Sequence, residues 1–260
     1  MVSWSGHILP VVATIAMWFI ATGLIAWLDN RDRATFPRSL LLAGLAGVAG
    51  LVIVVVSMAS TSIGSVYWAF AGAILIWAWH EIGFLTGAIA GPRREACPEG
   101  VSLWERFGHA SAAMAWHEIA LAMTALLLIS LTWNAPNQVA AMVFLLLFVL
   151  RLSTKLAIFA GVPNMSTDIL PPHLGYLKSY FGAPRFTAVL GLAIVGSLAL
   201  AAWLGTLAAA APAGTAAAAG ASLLFALGAL GALEHLFLAL PLRDGALWGW
   251  ALPAPRRNQV

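Results

Sequence analysis

The sequence has little charge and almost no cysteine. Charged residues make up 9% of its 260 positions, whereas soluble globular chains average roughly 25%. The single cysteine, Cys97, excludes an internal disulfide and any metal cluster built on several thiolates. The 13 lysines and arginines are spread among the expected loops, so no nucleic-acid partner is expected. Hydrophobic residues make up 62% of the whole sequence, which is more than a chain of this length can bury, and lipid must therefore surround it.

Long apolar runs divide the chain. A bilayer core of about 30 Å needs about 20 apolar residues per helix. Seven runs satisfy this length: 8–28, 39–58, 65–90, 108–133, 137–160, 186–209 and 216–240. We therefore predict an all-α, polytopic membrane protein with about seven transmembrane helices, forming a single membrane-embedded domain over residues 1–260. No basic segment precedes the first run, so no cleaved signal peptide is expected.

The basic residues lie in alternate connections. They follow the first, third, fifth and seventh runs, as Arg31, Arg33 and Arg38, then Arg93, Arg94 and Arg106, then Lys178 and Arg185, then Arg243, Arg256 and Arg257. The turns between the other runs are uncharged. Because basic loops favour the cytoplasm, we predict a periplasmic N-terminus and a cytoplasmic C-terminus.

A short motif, AWHEI, occurs at 78–82 and again at 115–119. Its His–Glu pair returns in the reverse order as Glu234–His235. Glu81 lies nine residues before the predicted end of its run, or about 13 Å deep at 1.5 Å per residue. The corresponding depths of the other polar residues predict one buried polar layer in the cytoplasmic half of the membrane. Its members are His80, Glu81, His117, Glu118, Arg151, Lys155, Glu234 and His235.

The two bases of this layer need anionic neighbours. Arg151 and Lys155 lie four residues apart on one helix face, where like charges repel, and each charge in a helix centre costs roughly 2.5–3.5 kcal/mol. The three glutamates are the expected partners, which leaves one negative charge for a proton, a charged histidine or a bound cation. Which glutamate faces which base stays open.

The layer admits several interpretations. It can consist only of ion pairs that hold the helices together. His80, His117 and His235 can instead ligate a pigment, a bacteriochlorophyll or another tetrapyrrole, with Trp77, Trp79, Trp116 and the repeated Gly83, Gly87 and Gly91 beside the ring. A metal site or a proton or substrate path are further possibilities. The Glu-x-x-His and His-Glu-x-x-His spacings of di-iron and zinc sites are absent from the apolar runs, and no catalytic residue or metal is assigned.

The connection 161–185 is the longest. Pro171–Pro172 should end any helix capped at Ser166, and HLGYLKSYF has the spacing of an amphipathic helix on the membrane surface. The later segment ALWGWALPAPRR is expected to lie along the inner membrane surface.

Several long segments carry a resemblance to a known family. WHEIGFLTGAIAGPRR, WHEIALAMTALLLISLTWNAPNQ, RLSTKLAIFAGVPN, LPPHLGYLKSYF and LEHLFLALPLRDGALWGWAL resemble the PuhE family, the photosynthetic-complex assembly proteins encoded beside the reaction-centre H-subunit gene of purple bacteria. The resemblance implies a multi-pass protein of the bacterial cytoplasmic (inner or intracytoplasmic) membrane. It implies a role in forming the reaction centre and core antenna, and an influence on bacteriochlorophyll supply. It supplies no ligand or catalytic residues.

The leading function is therefore a membrane assembly factor for the photosynthetic reaction centre and core light-harvesting complex. Its partners would be the lipid bilayer and the reaction-centre and core-antenna subunits, or other assembly factors. A membrane enzyme of tetrapyrrole or quinone metabolism with a buried Glu/His metal site is the alternative, although a non-enzyme is favoured. A transporter that binds an anion at Arg151 and Lys155 is the third possibility.

Overall fold

The chain is a bundle of long helices. The computed structural model describes residues 2–165, 170–241 and 247–251, and the regular structure in these ranges is helical throughout. A π-helical turn, Trp4–Ile8, leads into the first helix. The long helices are α1 Leu9–Asp29, α2 Phe36–Ser57, α3 Ile63–Leu85, α4 Leu103–Thr132, α5 Val139–Ala160, α6 Ala188–Ala210 and α7 Ala216–Ala239.

Local sequence explains where the helices begin. The Ser62 hydroxyl accepts a hydrogen bond from the amide of Ser65 at the start of α3, and Ser102 and Glu105 form a reciprocal capping box at the start of α4. Thr187 and Thr215 cap α6 and α7 in the same way as Ser62. These caps satisfy backbone amides that have no partner within their own helix.

Seven helices within the described ranges are long and apolar enough to cross a membrane. Helices α3 and α7 are the most enclosed, and the main core forms where they meet α5 and the middle of α4. Fully buried side chains there include Phe70, Leu121, Phe144 and Leu223. Half of the polar layer, His80, Glu81, Glu234 and His235, lies on these two enclosed helices, and the other half lies on α4 and α5.

The described connections rich in bases, α1–α2, α3–α4 and α5–α6, lie at one end of the bundle, which we call the basic end. Arg106 donates hydrogen bonds to the carbonyls of Phe159 and Phe181, which ties the start of α4 to the end of α5 and to the following loop. At the opposite end, Asn137 donates to the carbonyl of Ser57. The orientation of these two ends across the membrane remains a prediction.

Helix α3 ends at Leu85, five residues before the end of the expected span at 90. Gly87 adopts φ = +78°, a left-handed conformation that favours glycine and stops the helix. The following residues turn back into the protein, where the carbonyl of Ala90 accepts from the amide of His117. A Cβ on Gly91 would lie 2.1 Å from the carbonyl oxygen of Ala112. The glycines at 83, 87 and 91 therefore do not form the helical small-residue stripe that their spacing suggested.

The long connection 161–185 contains a 3₁₀ helix, Pro172–Tyr180. Its apolar residues Leu174, Leu177 and Tyr180 recur every third residue and are buried. They pack in a cluster with Phe84, Ala110 and Ala113. The apolar face that was expected to lie on the membrane surface is therefore covered by protein. The expected cap at Ser166 lies outside the described residues.

The segment 247–251 packs against α1. Trp248 is buried, and its indole N–H donates to the carbonyl of Phe19 at 2.9 Å. Trp250 packs against Gly23, where a Cβ would lie 2.2 Å from its ring. Phe19 lies ten residues before the end of α1, or about 15 Å along the helix. This part of the segment is therefore inserted beside α1, which corrects the expectation that it lies along the membrane surface.

Candidate functional site

Arg151 is the centre of the polar layer. It projects from α5 towards α7, where its guanidinium donates to Glu234 at 2.7 Å. A second carboxylate, Glu81 of α3, lies 3.9 Å from the same guanidinium. One base thus joins the three most central helices, and its position between two carboxylates explains how a charge is accommodated at this depth.

Lys155 has a partner of its own. One turn along α5, its ammonium group donates to Glu118 of α4 at 2.5 Å. The repulsion expected between Arg151 and Lys155 is therefore offset by carboxylates on different helices. The structure brings together both bases and all three glutamates, and it assigns the pairs that the sequence left open.

The surplus negative charge falls on Glu81. Its side chain is 10% exposed, its contact with Arg151 is the longest of the three, and its Oε1 atom is buried without a hydrogen-bond partner among the described residues. Glu118 and Glu234 each make a short hydrogen bond instead. A proton, a water molecule or a bound group would therefore act at Glu81 rather than at the other two carboxylates.

Asp29 is a buried carboxylate that the sequence analysis missed. It ends α1, is 3% exposed, and has both carboxylate oxygens buried without a partner in the described ranges. It is close enough to Glu81 for their charges to interact. As the last residue before a basic loop, it has the sequence context of a membrane-surface residue. The buried residues Gly23, Ala26 and Asp29 recur every third position in α1. That spacing was the available signal that Asp29 faces inward.

His235 is fully engaged in hydrogen bonds. Its Nδ1 atom lies 2.7 Å from the carbonyl of Gly231, one turn earlier in α7, and its Nε2 atom lies 3.1 Å from the hydroxyl of Ser153 in α5. Both ring nitrogens thus have protein partners. His235 joins α5 to α7 beside the Arg151–Glu234 pair and has no nitrogen free for a metal or pigment.

His80 and His117 are less satisfied. The Nε2 atom of His80 lies 3.0 Å from the hydroxyl of Thr124, which leaves Nδ1 without a partner among the described residues. His117 has neither ring nitrogen paired there, and its ring lies 4.6 Å from that of Phe84. Of the three candidate ligands, His117 alone has two unpaired ring nitrogens.

These histidines leave no room for a large ring. His80, His117 and His235 are 3%, 1% and 0% exposed, and an axial ligand must present a nitrogen to an open, flat space. None of them lines either of the two cavities described below. Binding of a tetrapyrrole at these residues therefore does not fit this arrangement. Within the described ranges, no group of three or more His, Cys, Asp or Glu side chains is placed to hold a metal ion.

A cavity of about 210 Å³ opens beside the polar layer. Glu81, Arg151 and Glu234 form its charged side, and its remaining wall is apolar apart from Thr14 and Thr22. The aromatic part of that wall consists of Trp18, Phe70, Trp77, Phe237 and Trp248. Ligand pockets for drug-sized molecules occupy about 300–1,000 Å³, so this cavity suits a slender apolar chain with a polar group rather than a macrocycle.

The fold and site define a multi-pass membrane protein whose central helices are held by partly buried ion pairs. The chain matches the family described as "Protein of unknown function (DUF3623)" over residues 4–259, and it belongs to that family. It is also 36% identical over 251 residues to an uncharacterized 30.4 kDa protein in the puhA 5′ region of Rhodobacter capsulatus, covering 95% of this chain and 91% of that protein. The resemblance to the PuhE family is thereby confirmed. No solved structure matches the chain.

Proposed function

We propose that this protein is a membrane assembly factor for the photosynthetic reaction centre and its core light-harvesting complex. The observation that carries the proposal is the likeness, over 95% of the chain, to a protein from the puhA 5′ region. In the PuhE family, that region adjoins the gene for the reaction-centre H subunit. The protein would act in the cytoplasmic (inner or intracytoplasmic) membrane of a purple bacterium, on newly inserted subunits or on other assembly factors.

The polar layer supports a scaffold more than an enzyme. Arg151 and Lys155 each make a short bond to a carboxylate of another helix, and His235 bridges two helices with both nitrogens. These groups are committed to holding α3, α4, α5 and α7 together. A catalytic acid, base or ligand would instead need a free atom facing a substrate. In the enzyme alternative, the unpartnered Oε1 atom of Glu81 beside the cavity would be that atom.

An influence on bacteriochlorophyll supply is part of the proposal. The aromatic cavity beside Arg151 would accept the apolar chain of a lipid or pigment while excluding its ring, since its volume is about 210 Å³. The protein would then hold an amphiphile by its chain, next to the subunits that receive it. No chemical change of the amphiphile is required.

The first experiment is affinity purification of the tagged protein from phototrophic cells. We expect the reaction-centre H subunit or the core-antenna polypeptides to be enriched above the level found with an identically tagged, unrelated seven-helix membrane protein. Equal recovery in both samples would contradict the proposal.

A deletion strain separates the two leading functions. A scaffold predicts that reaction-centre and core-antenna absorption fall together while no pigment precursor accumulates. Accumulation of one defined tetrapyrrole or quinone precursor would favour the enzyme instead. Complementation with an Arg38→Gln variant, altered at an exposed residue of the basic end, should restore the absorption and serves as the matched control.

The proposed orientation has a native probe. Cys97 is the only cysteine in the sequence and lies in the α3–α4 connection at the basic end. If that end is cytoplasmic, a membrane-impermeant maleimide should label Cys97 in inverted vesicles and leave it unlabelled in intact spheroplasts. The reverse pattern would invert the topology.

A further inference from the structure

A second cavity, of about 270 Å³, lies at the basic end. It forms where the start of α2, the turn after α3 and the 3₁₀ helix meet. We call it the basic pocket and define it by four polar side chains, Arg33, Arg94, His173 and Tyr176. None of the residues that line it is acidic. The pocket is separate from the Arg151 cavity, and they share no lining residue.

The two guanidinium groups of the basic pocket are free to act on a ligand. Neither Arg33 nor Arg94 forms an ion pair with a carboxylate in the described parts of the chain, whereas the neighbouring Arg93 pairs with Glu95 and donates to Tyr180. Both side chains line the same cavity and are exposed, so an anion from solvent can reach both guanidinium groups. Guanidinium is also the group best matched to phosphate oxygens, because it offers several donors in one plane.

Tyr176 provides an independent indication that the basic pocket binds a ligand. Its hydroxyl is buried and has no hydrogen-bond partner among the described residues. An unsatisfied buried hydroxyl costs free energy, so such groups normally have a ligand, a water molecule or a protein partner. Burial raises the pKa of Tyr176, and the nearby Arg94 opposes that rise. The hydroxyl therefore stays protonated at neutral pH and can donate to an anion beside Arg94.

His173 lines the same pocket but is held by the protein and offers no donor to an anion. Its Nε2 atom lies 2.7 Å from the carbonyl of Leu85, and its ring lies 5.6 Å from that of Phe36. A carbonyl can only accept, so Nε2 carries the proton and Nδ1 is the acceptor of the neutral ring. Desolvation is the main cause that lowers the pKa of His173; the bond to Leu85 opposes it, and the charge of Arg33 adds to it.

We propose that the basic pocket binds a phosphate-bearing anion, gripped by Arg33 and Arg94 and hydrogen-bonded by the Tyr176 hydroxyl. Two sources share this chemistry: the headgroup of an anionic phospholipid and a soluble phosphate compound. Basic pockets beside transmembrane helices are a recurring form of site for anionic lipid headgroups. The α2 start, the α3–α4 connection and the 3₁₀ helix would be tied together by the bound anion.

The test uses the full-length protein purified in a non-ionic detergent. Thermal unfolding is followed with inorganic phosphate against chloride at equal ionic strength, and with short-chain phosphatidic acid against phosphatidylcholine of the same chain length. Because a ligand that binds the folded state raises the unfolding temperature with concentration, the titrations give an affinity for each probe. We expect phosphatidic acid, or phosphate, to stabilise the protein, and neither control to do so.

The variants identify the site. Arg33→Gln and Arg94→Gln should each weaken binding about tenfold or more, as expected for loss of a charge-assisted hydrogen bond, and Tyr176→Phe should weaken it by about 2–10-fold. Lys178→Gln is the matched control, because Lys178 is an exposed base of the same 3₁₀ helix and does not line the pocket. If an arginine variant fails to fold, Tyr176→Phe carries the comparison.

The outcomes distinguish a lipid headgroup from a soluble anion, and both of these from the absence of an anion site. Equal potency of phosphate and phosphatidic acid identifies the soluble anion, and a response to phosphatidic acid alone identifies the headgroup. No stabilisation by either probe, or the same affinity in the wild type and in all three pocket variants, overturns the proposal. No reaction-centre subunit is used, so failure of this test is distinct from failure of the proposed assembly function.

Discussion

Two pairs of bases in this protein have opposite surroundings. Arg151 and Lys155 lie inside the bundle, and each donates to a carboxylate of another helix, at 2.7 and 2.5 Å. Arg33 and Arg94 line the basic pocket and have no carboxylate partner in the described ranges. The first pair has its countercharge built into the fold, and the second leaves it to be supplied from outside.

The difference follows from the cost of burying charge. An unpaired charge in the middle of a membrane helix is expensive, so a base placed there must be neutralised when the helices assemble. A base at the end of the bundle reaches water and can remain unpaired until a ligand arrives. The same residue type is therefore structural at one depth and available for binding at another.

The largest effect is expected for Arg151→Ala. Removing the guanidinium leaves Glu234 and Glu81 without their base, and breaking a fully buried pair costs about 3–5 kcal/mol. Arg151 is 37% exposed towards the cavity, so solvent screening reduces the expected loss to about 2–3 kcal/mol of unfolding free energy. Denaturant or thermal unfolding of the purified protein measures it.

The partner of Arg151 can be identified by rescue. The double change Arg151→Ala with Glu234→Gln should recover part of the lost stability, and more than Arg151→Ala with Glu118→Gln does, because Glu118 pairs with Lys155. Arg38→Ala, at an exposed base, serves as the neutral control. Equal rescue by both glutamate changes would refute the assigned pairing.

A smaller effect is expected for Lys155→Met. It leaves Glu118 unpaired and should cost about 1–3 kcal/mol, the penalty of an unsatisfied polar group. Adding Glu118→Gln removes the stranded charge, and a buried ion pair replaced by uncharged groups is often nearly neutral. The double variant should therefore unfold close to the wild type. A double variant less stable than the single one would show that Lys155 has a role beyond this pair.

In contrast, Arg94→Gln should hardly change stability. Arg94 is exposed and its partner is not part of the protein, so the free energy of unfolding without ligand should stay within about 0.5 kcal/mol of the wild type. Unfolding in a phosphate-free chloride buffer provides the measurement. A loss as large as that of Arg151→Ala would remove the contrast between the two pairs of bases.

The smallest effect concerns pH and His173. Because burial lowers its folded-state pKa, the unfolded chain binds more protons as the pH falls below the ordinary value of 6.5. The stability contributed by neutral His173 is therefore present above pH 6.5 and is lost as the pH falls from there towards the lowered pKa. Unfolding temperatures measured between pH 8 and 5 should decline less in His173→Gln than in the wild type. Parallel declines would show that other groups dominate.

Much of the architecture was predictable because lipid imposes simple rules. A span needs a long apolar run, and such runs predict helices without any knowledge of their packing. The polar layer was predictable for the same reason, since Arg151 and Lys155 cannot stay unpaired within apolar runs. The pairing itself was not, because the rotation of α4 and α7 about their axes decides which carboxylate reaches which base.

The errors concern segments whose partners are distant in sequence. The apolar run of α3 continues past Leu85, but Gly87 turns the chain back against α4. The amphipathic spacing of the 3₁₀ helix is real, and it faces protein rather than lipid. The basic pocket escaped notice entirely, since Arg33, Arg94 and Tyr176 are far apart in sequence and only the fold brings them together.

The indole of Trp248 has a consequence for the order in which the protein is made. Its bond to Phe19 joins residues 229 positions apart, so α1 enters the membrane long before the residue that completes this wall of the Arg151 cavity is synthesised. Until the segment after α7 emerges and inserts beside α1, the cavity lacks that wall. The cavity beside Arg151 is thus more open during biogenesis than in the folded protein, and insertion of Trp248 beside α1 closes it.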